Sequence, residues 1–183
     1  MQSFKSDDPE SVRSLSQMLE QDRIRANRIP GVRTVLVVLS AAGMVFDMES
    51  LRQKIVLSYP EASVFFITTH GNSMGPESPD EVDLLIDFTG PGQRQSLFFA
   101  KMLRNFSRVA IGRNAGLFRK KIYDRVFDEK SPEVKSVIES FSREEFVQKN
   151  VLALAGVPFV RSSGATPDLA KSIALELPAM NRV

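Results

Sequence analysis

The stretch VLVVLSAAGMVFDMESLRQKIVLSYPEASVFFI, residues 35–67, predicts a strand, a turn that contains a glycine, a helix and a second strand. Its first residues are continuously apolar and rich in β-branched side chains, which is typical of a strand buried on both faces of a parallel sheet. The helix that follows has apolar residues at helical spacing and ends before Pro60. Two strands joined in this way form a βαβ unit, so the stretch predicts an α/β fold.

The rest of the chain continues the alternation. The first two strands are predicted at 34–39 and 63–68, with the helix between them at 48–58. Further strands are predicted at 83–88 and 108–111, and helices at 9–27, 93–106, 131–140, 143–155 and 166–176. We therefore expect a three-layer, Rossmann-like, mostly parallel sheet with helices on both faces, plus an extra N-terminal helix. The predicted organisation is a helical appendage over residues 1–30 and a Rossmann-like domain over residues 31–183.

Composition excludes several classes of function. The chain has 183 residues, which is one ordinary domain, and it has no cysteine, which excludes disulfides and thiolate metal sites. No apolar run approaches the roughly 18 residues of a membrane span. The net charge of +2 is too small to indicate a nucleic-acid partner. We expect a cytoplasmic protein without a membrane span, a metal or a nucleic-acid partner.

One segment is strongly basic. Residues 94–130 contain ten Lys and Arg residues and three acids. Such a segment can attract phosphate or carboxylate groups, although a solvated basic face has the same composition. No GxGxxG dinucleotide motif and no Walker A motif occurs in the chain, so no cofactor is predicted.

Ligands of parallel sheets bind at the carboxyl ends of the strands. The predicted loops at that edge are 40–44, 69–75, 89–94 and 112–114. Together with the densest basic run, they supply the candidate ligand-binding residues, which are Ser40, Gly43, His70, Asn72, Thr89, Arg94, Arg113, Lys120 and Lys121.

Two residues at this edge have alternative interpretations. His70 is the only histidine, and its pKa class suits acid–base catalysis, but no second titratable group is placed beside it by the sequence. A polar loop residue is the preferred interpretation. Asp87 ends an apolar strand, where it can bind a ligand or accept hydrogen bonds from the following turn, and we favour the turn.

Several segments carry a family resemblance in a fixed order. After the first strand and its glycine turn they are Tyr59-Pro60-Glu61-Ala62, DLLIDFTG (83–90), RVAIG (108–112), KIYDRVF (121–127) and FVQKNVLALAGVP (146–158). Over about residues 33–160 the chain resembles the N-terminal domain of the ADP-heptose:lipopolysaccharide heptosyltransferases, which are two-domain glycosyltransferases of the B fold. The resemblance implies a Rossmann-like domain that binds the sugar acceptor.

The chain departs from this family at two places. The resemblance implies an aspartate directly after the turn glycine as general base, and the chain has Met44 there. A thioether cannot accept a hydroxyl proton at neutral pH, and general-base assistance is typically worth about 10²–10⁴-fold. Asp47 and His70 are the fallback bases. The family also binds its donor mainly on a C-terminal domain, and we expect this chain to lack that half because it ends at Val183.

Three hypotheses follow from these observations. The preferred one is a stand-alone, non-catalytic relative (a pseudoenzyme) that binds a partner protein, by self-association or otherwise, or an anionic glycan or phosphate ligand such as a phosphorylated sugar. The second is the acceptor-binding half of a glycosyltransferase of lipopolysaccharide or envelope polysaccharide synthesis, completed by a second chain. The third is a Rossmann-like scaffold that docks through its N-terminal helix.

Overall fold

A computed structural model describes residues 9–39, 48–68, 79–90, 94–114, 119–129, 131, 134 and 143–159. The helices are α1 (Pro9–Ala26), α2 (Met48–Ser58), α3 (Arg94–Asn105) and α4 (Arg143–Leu154), and a 3-10 turn spans Arg119–Lys121. The strands are β1 (Thr34–Leu39), β2 (Ser63–Thr68), β3 (Val82–Asp87), β4 (Ser107–Arg113) and β5 (Arg125–Phe127). The helix predicted at 131–140 lies outside the described residues except for Ser131 and Val134, and the one predicted at 166–176 lies wholly outside them.

The five strands form one sheet in the order β2-β1-β3-β4-β5, and every pairing is parallel. The predicted α/β class, the parallel sheet and the N-terminal helix are confirmed. The sequence did not predict β5, a three-residue strand inside the basic segment that pairs with the end of β4. The carboxyl ends of β3 and β4 lie side by side, because Asp87 pairs with Gly112 in the register.

Helices cover both faces of the sheet. Val35, Val37 and Leu39 of β1 belong to the larger core, to which α2 and α4 contribute buried side chains. The alternate residues Leu36 and Val38 belong to a second core on the other face, to which α3 contributes. This division follows from the period of two in a strand, and it explains why β1 is apolar at nearly every position.

The apolar face of α3 is only partly covered. Phe99 and Leu103 pack against the second core, whereas Met102 is 40% exposed and Phe106, just after the helix, is 61% exposed. Helical spacing makes all four available to the core, but Met102 and Phe106 remain exposed. Helical period identifies an apolar face, but it does not show how wide the contact with the sheet is.

The carboxyl end of α1 is tied to α4. Ile24 is buried, Asn27 Nδ2 donates to the Ala153 carbonyl oxygen at 3.0 Å, and Lys149 Nζ lies 2.8 Å from Glu20 Oε1. These contacts join the predicted appendage to the Rossmann-like domain at the amino edge of the sheet.

Tyr59 continues the same junction. The Ile29 amide donates to its hydroxyl at 3.3 Å, and the hydroxyl donates to the Ala155 carbonyl oxygen at 2.6 Å. Burial raises the pKa of Tyr59, so the hydroxyl keeps the proton that it donates. One side chain therefore holds the end of α4 and the segment that leads into β1.

Gly156 ends α4 in the left-handed conformation, with φ at 69°. The Val157 amide donates to the Leu152 carbonyl at 2.9 Å and the Gly156 amide donates to the Ala153 carbonyl at 3.1 Å, which is the Schellman pattern. A Cβ at this glycine would meet Arg28 backbone atoms at 2.9 Å. A glycine at this position therefore allows the left-handed end of α4 and the close approach of the backbone at Arg28.

None of the helices in the described part of the chain is long and apolar enough to cross a membrane.

Candidate functional site

The candidate site is the carboxyl edge of the sheet around the ends of β3 and β4. Of the residues that the sequence places there, six lie outside the described residues, and their roles stay predictions: Ser40, Gly43, Met44, Asp47, His70 and Asn72. Arg94 is the first residue of α3. The structure gives the surroundings of Thr89, Arg113 and Lys120, and the exposure of Lys121.

Asp87 is the last residue of β3 and is fully buried. The Thr89 amide donates to its Oδ1 at 2.7 Å, which confirms the predicted role as the acceptor for the turn. The Tyr123 hydroxyl donates to Oδ2, and Arg119 Nη1 lies 3.7 Å from the same oxygen. Both carboxylate oxygens therefore have partners from within the protein.

Arg119 connects this aspartate to the turn after β3. Its Nη1 donates to the Thr89 carbonyl oxygen at 2.9 Å, to Thr89 Oγ1 at 2.8 Å and to the Tyr123 hydroxyl at 3.2 Å. The Arg119 side chain is 4% exposed, although it belongs to the densest basic run of the chain. Thr89, a candidate ligand contact, is buried with its hydroxyl on Arg119.

Gly112 allows the Tyr123 ring to reach this network. It lies inside β4, and a Cβ there would be 2.5 Å from the ring. The loop predicted at 112–114 is therefore wrong for its first two residues, because Gly112 and Arg113 are the last residues of β4 and the Tyr123 ring covers Gly112. Burial, followed by the charge of Asp87, raises the pKa of Tyr123 far above its usual range, so the phenol stays protonated and donates.

Arg113 forms a second buried cluster beside the first. Its Nε and Nη2 donate to the two carboxylate oxygens of Glu129 at 2.5 and 3.0 Å, and its Nη1 donates to Glu144 Oε1 at 2.7 Å. Burial disfavours the charged guanidinium, but the hydrogen bonds and charges of the two glutamates outweigh burial and raise the pKa of Arg113. The carboxylates of Glu129 and Glu144 thus compensate the charge of Arg113, which the sequence predicts as a ligand-binding residue.

The two lysines of the 3-10 turn face solvent at the same edge. Lys120 Nζ lies 3.7 Å from Asp128 Oδ2. The other carboxylate oxygen of Asp128 accepts a hydrogen bond from the side-chain amide of Asn114. Lys121 is exposed as well. Such an exposed ion pair is weak, so Lys120 remains available to an anionic ligand.

The sequence missed Tyr123, Glu129 and Glu144, which complete the two buried clusters. Their partners lie far away along the chain, since Tyr123 and Asp87 are 36 residues apart. The available signals were a carboxylate at the end of an apolar strand and a glycine in the neighbouring strand. Neither signal identifies the partner.

In the ranges that the structure describes, no group of three or more His, Cys, Asp or Glu side chains has the arrangement of a metal site. Comparison with protein-family models, curated proteins and solved structures gives no match. The resemblance to heptosyltransferases therefore remains a prediction from the sequence motifs.

Proposed function

We propose that the chain is a binding module that holds an anionic glycan or phosphate group at the carboxyl edge of the sheet and performs no transfer chemistry. In this proposal it is a relative of the acceptor domain of the heptosyltransferases. The observation that carries the proposal is that the buried ionisable groups at the ends of β3 and β4 bind one another, as in the Asp87–Tyr123 and Arg113–Glu129 pairs.

A general base must present a lone pair to the proton that it removes. The two oxygens of Asp87 already accept hydrogen bonds from Thr89 and Tyr123, and Glu129 accepts two from Arg113. These groups support the geometry of the edge and do not face a substrate as free bases. Methionine at position 44, where the family resemblance implies the base, supports the same conclusion.

The charge for ligand binding comes from the exposed side chains of Lys120 and Lys121. The buried Arg119 donates to Thr89, so the turn that carries both lysines is tied to the segment after β3. Lysine is a compact point charge that suits phosphate without requiring a planar, bidentate partner. The excess of bases over residues 94–130 would attract such a ligand over a longer distance.

The binding arm of the test is a titration of the full chain with inorganic phosphate, a sugar monophosphate and the corresponding neutral sugar, followed by NMR. We expect the phosphorylated compounds to bind and the neutral sugar not to bind. The double variant Lys120→Glu with Lys121→Glu should bind at least tenfold more weakly, and added salt should weaken binding in the parent chain. Lys101→Glu reverses one exposed charge elsewhere in the basic segment, on α3, and should weaken binding only slightly through the loss of long-range attraction.

The catalytic arm measures nucleotide release from nucleotide-diphosphate sugars. We expect no turnover. Turnover by the purified chain that is lost in Asp47→Asn or His70→Asn would refute the non-catalytic part of the proposal. Equal phosphate affinity in the lysine variant and the parent chain would refute the assigned binding site.

A further inference from the structure

A groove lies between α3 and the strands on the second face of the sheet. Its volume is about 380 Å³, which falls within the range of small-molecule sites, about 300–1,000 Å³. Most of its lining side chains are apolar, among them Leu36, Ile67, Val82, Phe99, Met102 and Phe106. The exposed Met102 and Phe106 therefore form part of a concave apolar surface, which is the usual lining of a binding site.

The groove has a polar end and an apolar end. Asp80 is exposed, and among the described residues it is the one charged side chain that lines the groove. It stands two residues before Val82, whose amide donates to the Phe106 carbonyl oxygen at 3.1 Å, so Asp80 and Phe106 both lie at the amino edge of the sheet. Phe99 lies about two helical turns away from Phe106, or about 10 Å. The carboxylate is therefore at one end of an elongated apolar surface.

The polar end of the groove is negatively charged. Glu81 is exposed beside Asp80, and the sequence between residues 77 and 87 contains five acids and no base. Asp83 in this segment is compensated by Arg108, whose Nε lies 3.2 Å from Asp83 Oδ1. No basic side chain in the described part of the chain pairs with Asp80 or Glu81. A cationic group at this end would therefore be attracted, and an anionic group would be repelled.

We propose that this groove binds an amphiphilic cation, which is a small molecule with an ammonium group and an apolar body. The ammonium group lies beside Asp80, and the apolar body lies along Met102 towards Phe99. The Phe106 ring at the polar end adds to the attraction, because the face of an aromatic ring attracts a cation. Burial of the apolar body supplies the rest of the affinity. The groove opens at the amino edge and takes a positive charge, so this inference does not depend on the phosphate site proposed for the carboxyl edge.

The first experiment titrates the full chain with octylammonium, octanol and octanoate below their micellar concentrations, followed by NMR. The three compounds share an apolar chain of about the length of the groove and differ in charge. We expect octylammonium to bind about two- to fivefold more tightly than octanol, as for an exposed charge pair, and octanoate to bind most weakly. Signals of Met102 and Val82 should shift, whereas those of Leu57 on α2 should not. Absence of binding, or equal affinity for all three compounds, overturns the proposal.

Reversal of one charge tests the polar end. Asp80→Lys should reverse the order, so that octanoate binds more tightly than octylammonium. Glu81→Lys is the matched control, because Glu81 is the exposed neighbour of Asp80 and does not line the groove. In this control octylammonium should remain the tighter ligand. An unchanged order in Asp80→Lys, or the same reversal in both variants, overturns the proposal.

A second pair of variants tests the apolar wall. Met102→Gln should weaken octanol binding about fivefold, because a polar group then faces the octyl chain. Phe98→Gln is the matched control, since Phe98 is 74% exposed on the same helix and does not line the groove. Equal weakening by both variants would indicate adsorption to any exposed apolar surface and overturn the proposal. Sedimentation that shows a dimer of the parent chain, lost in Met102→Gln, would assign the groove to a second copy and also overturn it.

Discussion

Replacement of Gly156 by alanine should destabilise the protein more than the same change at Gly31. Both glycines have positive φ, at 69° and 66°, so both substitutions carry the cost of a left-handed alanine. They differ in the space around the new methyl group. At Gly156 it would meet Arg28 backbone atoms at 2.9 Å, whereas at Gly31 the nearest atom is Arg108 Nη2 at 4.0 Å.

The backbone at Arg28 cannot easily move aside. Asn27, which precedes it, donates to the Ala153 carbonyl and accepts from Arg125 Nη1, and the Ile29 amide after it donates to the Tyr59 hydroxyl. The methyl group at position 156 must therefore displace a segment that is held on both sides. Overpacking of this kind typically costs about 1–3 kcal/mol.

The cost of the left-handed backbone and the cost of overpacking can be estimated separately. A left-handed non-glycine residue costs about 1–2 kcal/mol, and the reduced entropy of the unfolded chain returns about 0.4–1 kcal/mol. We therefore expect the free energy of unfolding to fall by about 0–1.5 kcal/mol in Gly31→Ala. With the added overpacking, Gly156→Ala should lose about 1–4.5 kcal/mol and exceed Gly31→Ala by about 1–3 kcal/mol.

Urea unfolding of the parent chain and both variants at 25 °C, followed by circular dichroism, measures the difference. The parent slope with denaturant should be retained in both variants, which would show that the same surface unfolds. Equal losses in the two variants would refute the close approach of Arg28 to the end of α4. The packing of the α1–β1 segment against α4 would then need another explanation.

Three other changes test the packing at the two edges of the sheet. Gly112→Ala should lower the free energy of unfolding by about 2–4 kcal/mol, because the methyl group displaces Tyr123 from its buried hydrogen bonds. A loss below about 0.5 kcal/mol, measured by urea unfolding, would contradict this. Ser58→Ala should be neutral or stabilising by up to about 1 kcal/mol, because the buried hydroxyl has no hydrogen-bond partner in the described part of the chain, and a clear loss of stability would reveal one. Asp83 accepts hydrogen bonds from the backbone amides of residues 33 and 34. Burial opposes its charge, but these bonds and Arg108 lower the pKa of Asp83 below its usual range. The contribution of the Asp83 carboxylate to stability is therefore present at neutral pH and is lost as the pH falls through its folded-state pKa. The difference in unfolding free energy between the parent chain and Asp83→Asn should shrink below about pH 4. A difference that stays constant with pH would contradict this role of Asp83.

The sequence alone determined the class of fold and most element positions. Thr34–Leu39, Met48–Ser58 and Ser63–Thr68 were predicted with the bounds that the structure has, because continuous apolar strands, helical spacing and Pro60 are local signals. The role of Asp87 could also be predicted, since its partner in the turn is only two residues away.

The tertiary structure decided which charged residues are available. Arg113 and Arg119 look alike in sequence to Lys120 and Lys121, but the arginines are buried against carboxylates and the lysines face solvent. Local sequence shows that a side chain is charged and does not show which distant group compensates it. Parallel strands bring together residues that are tens of positions apart, so burial and pairing at this edge depend on the assembled sheet.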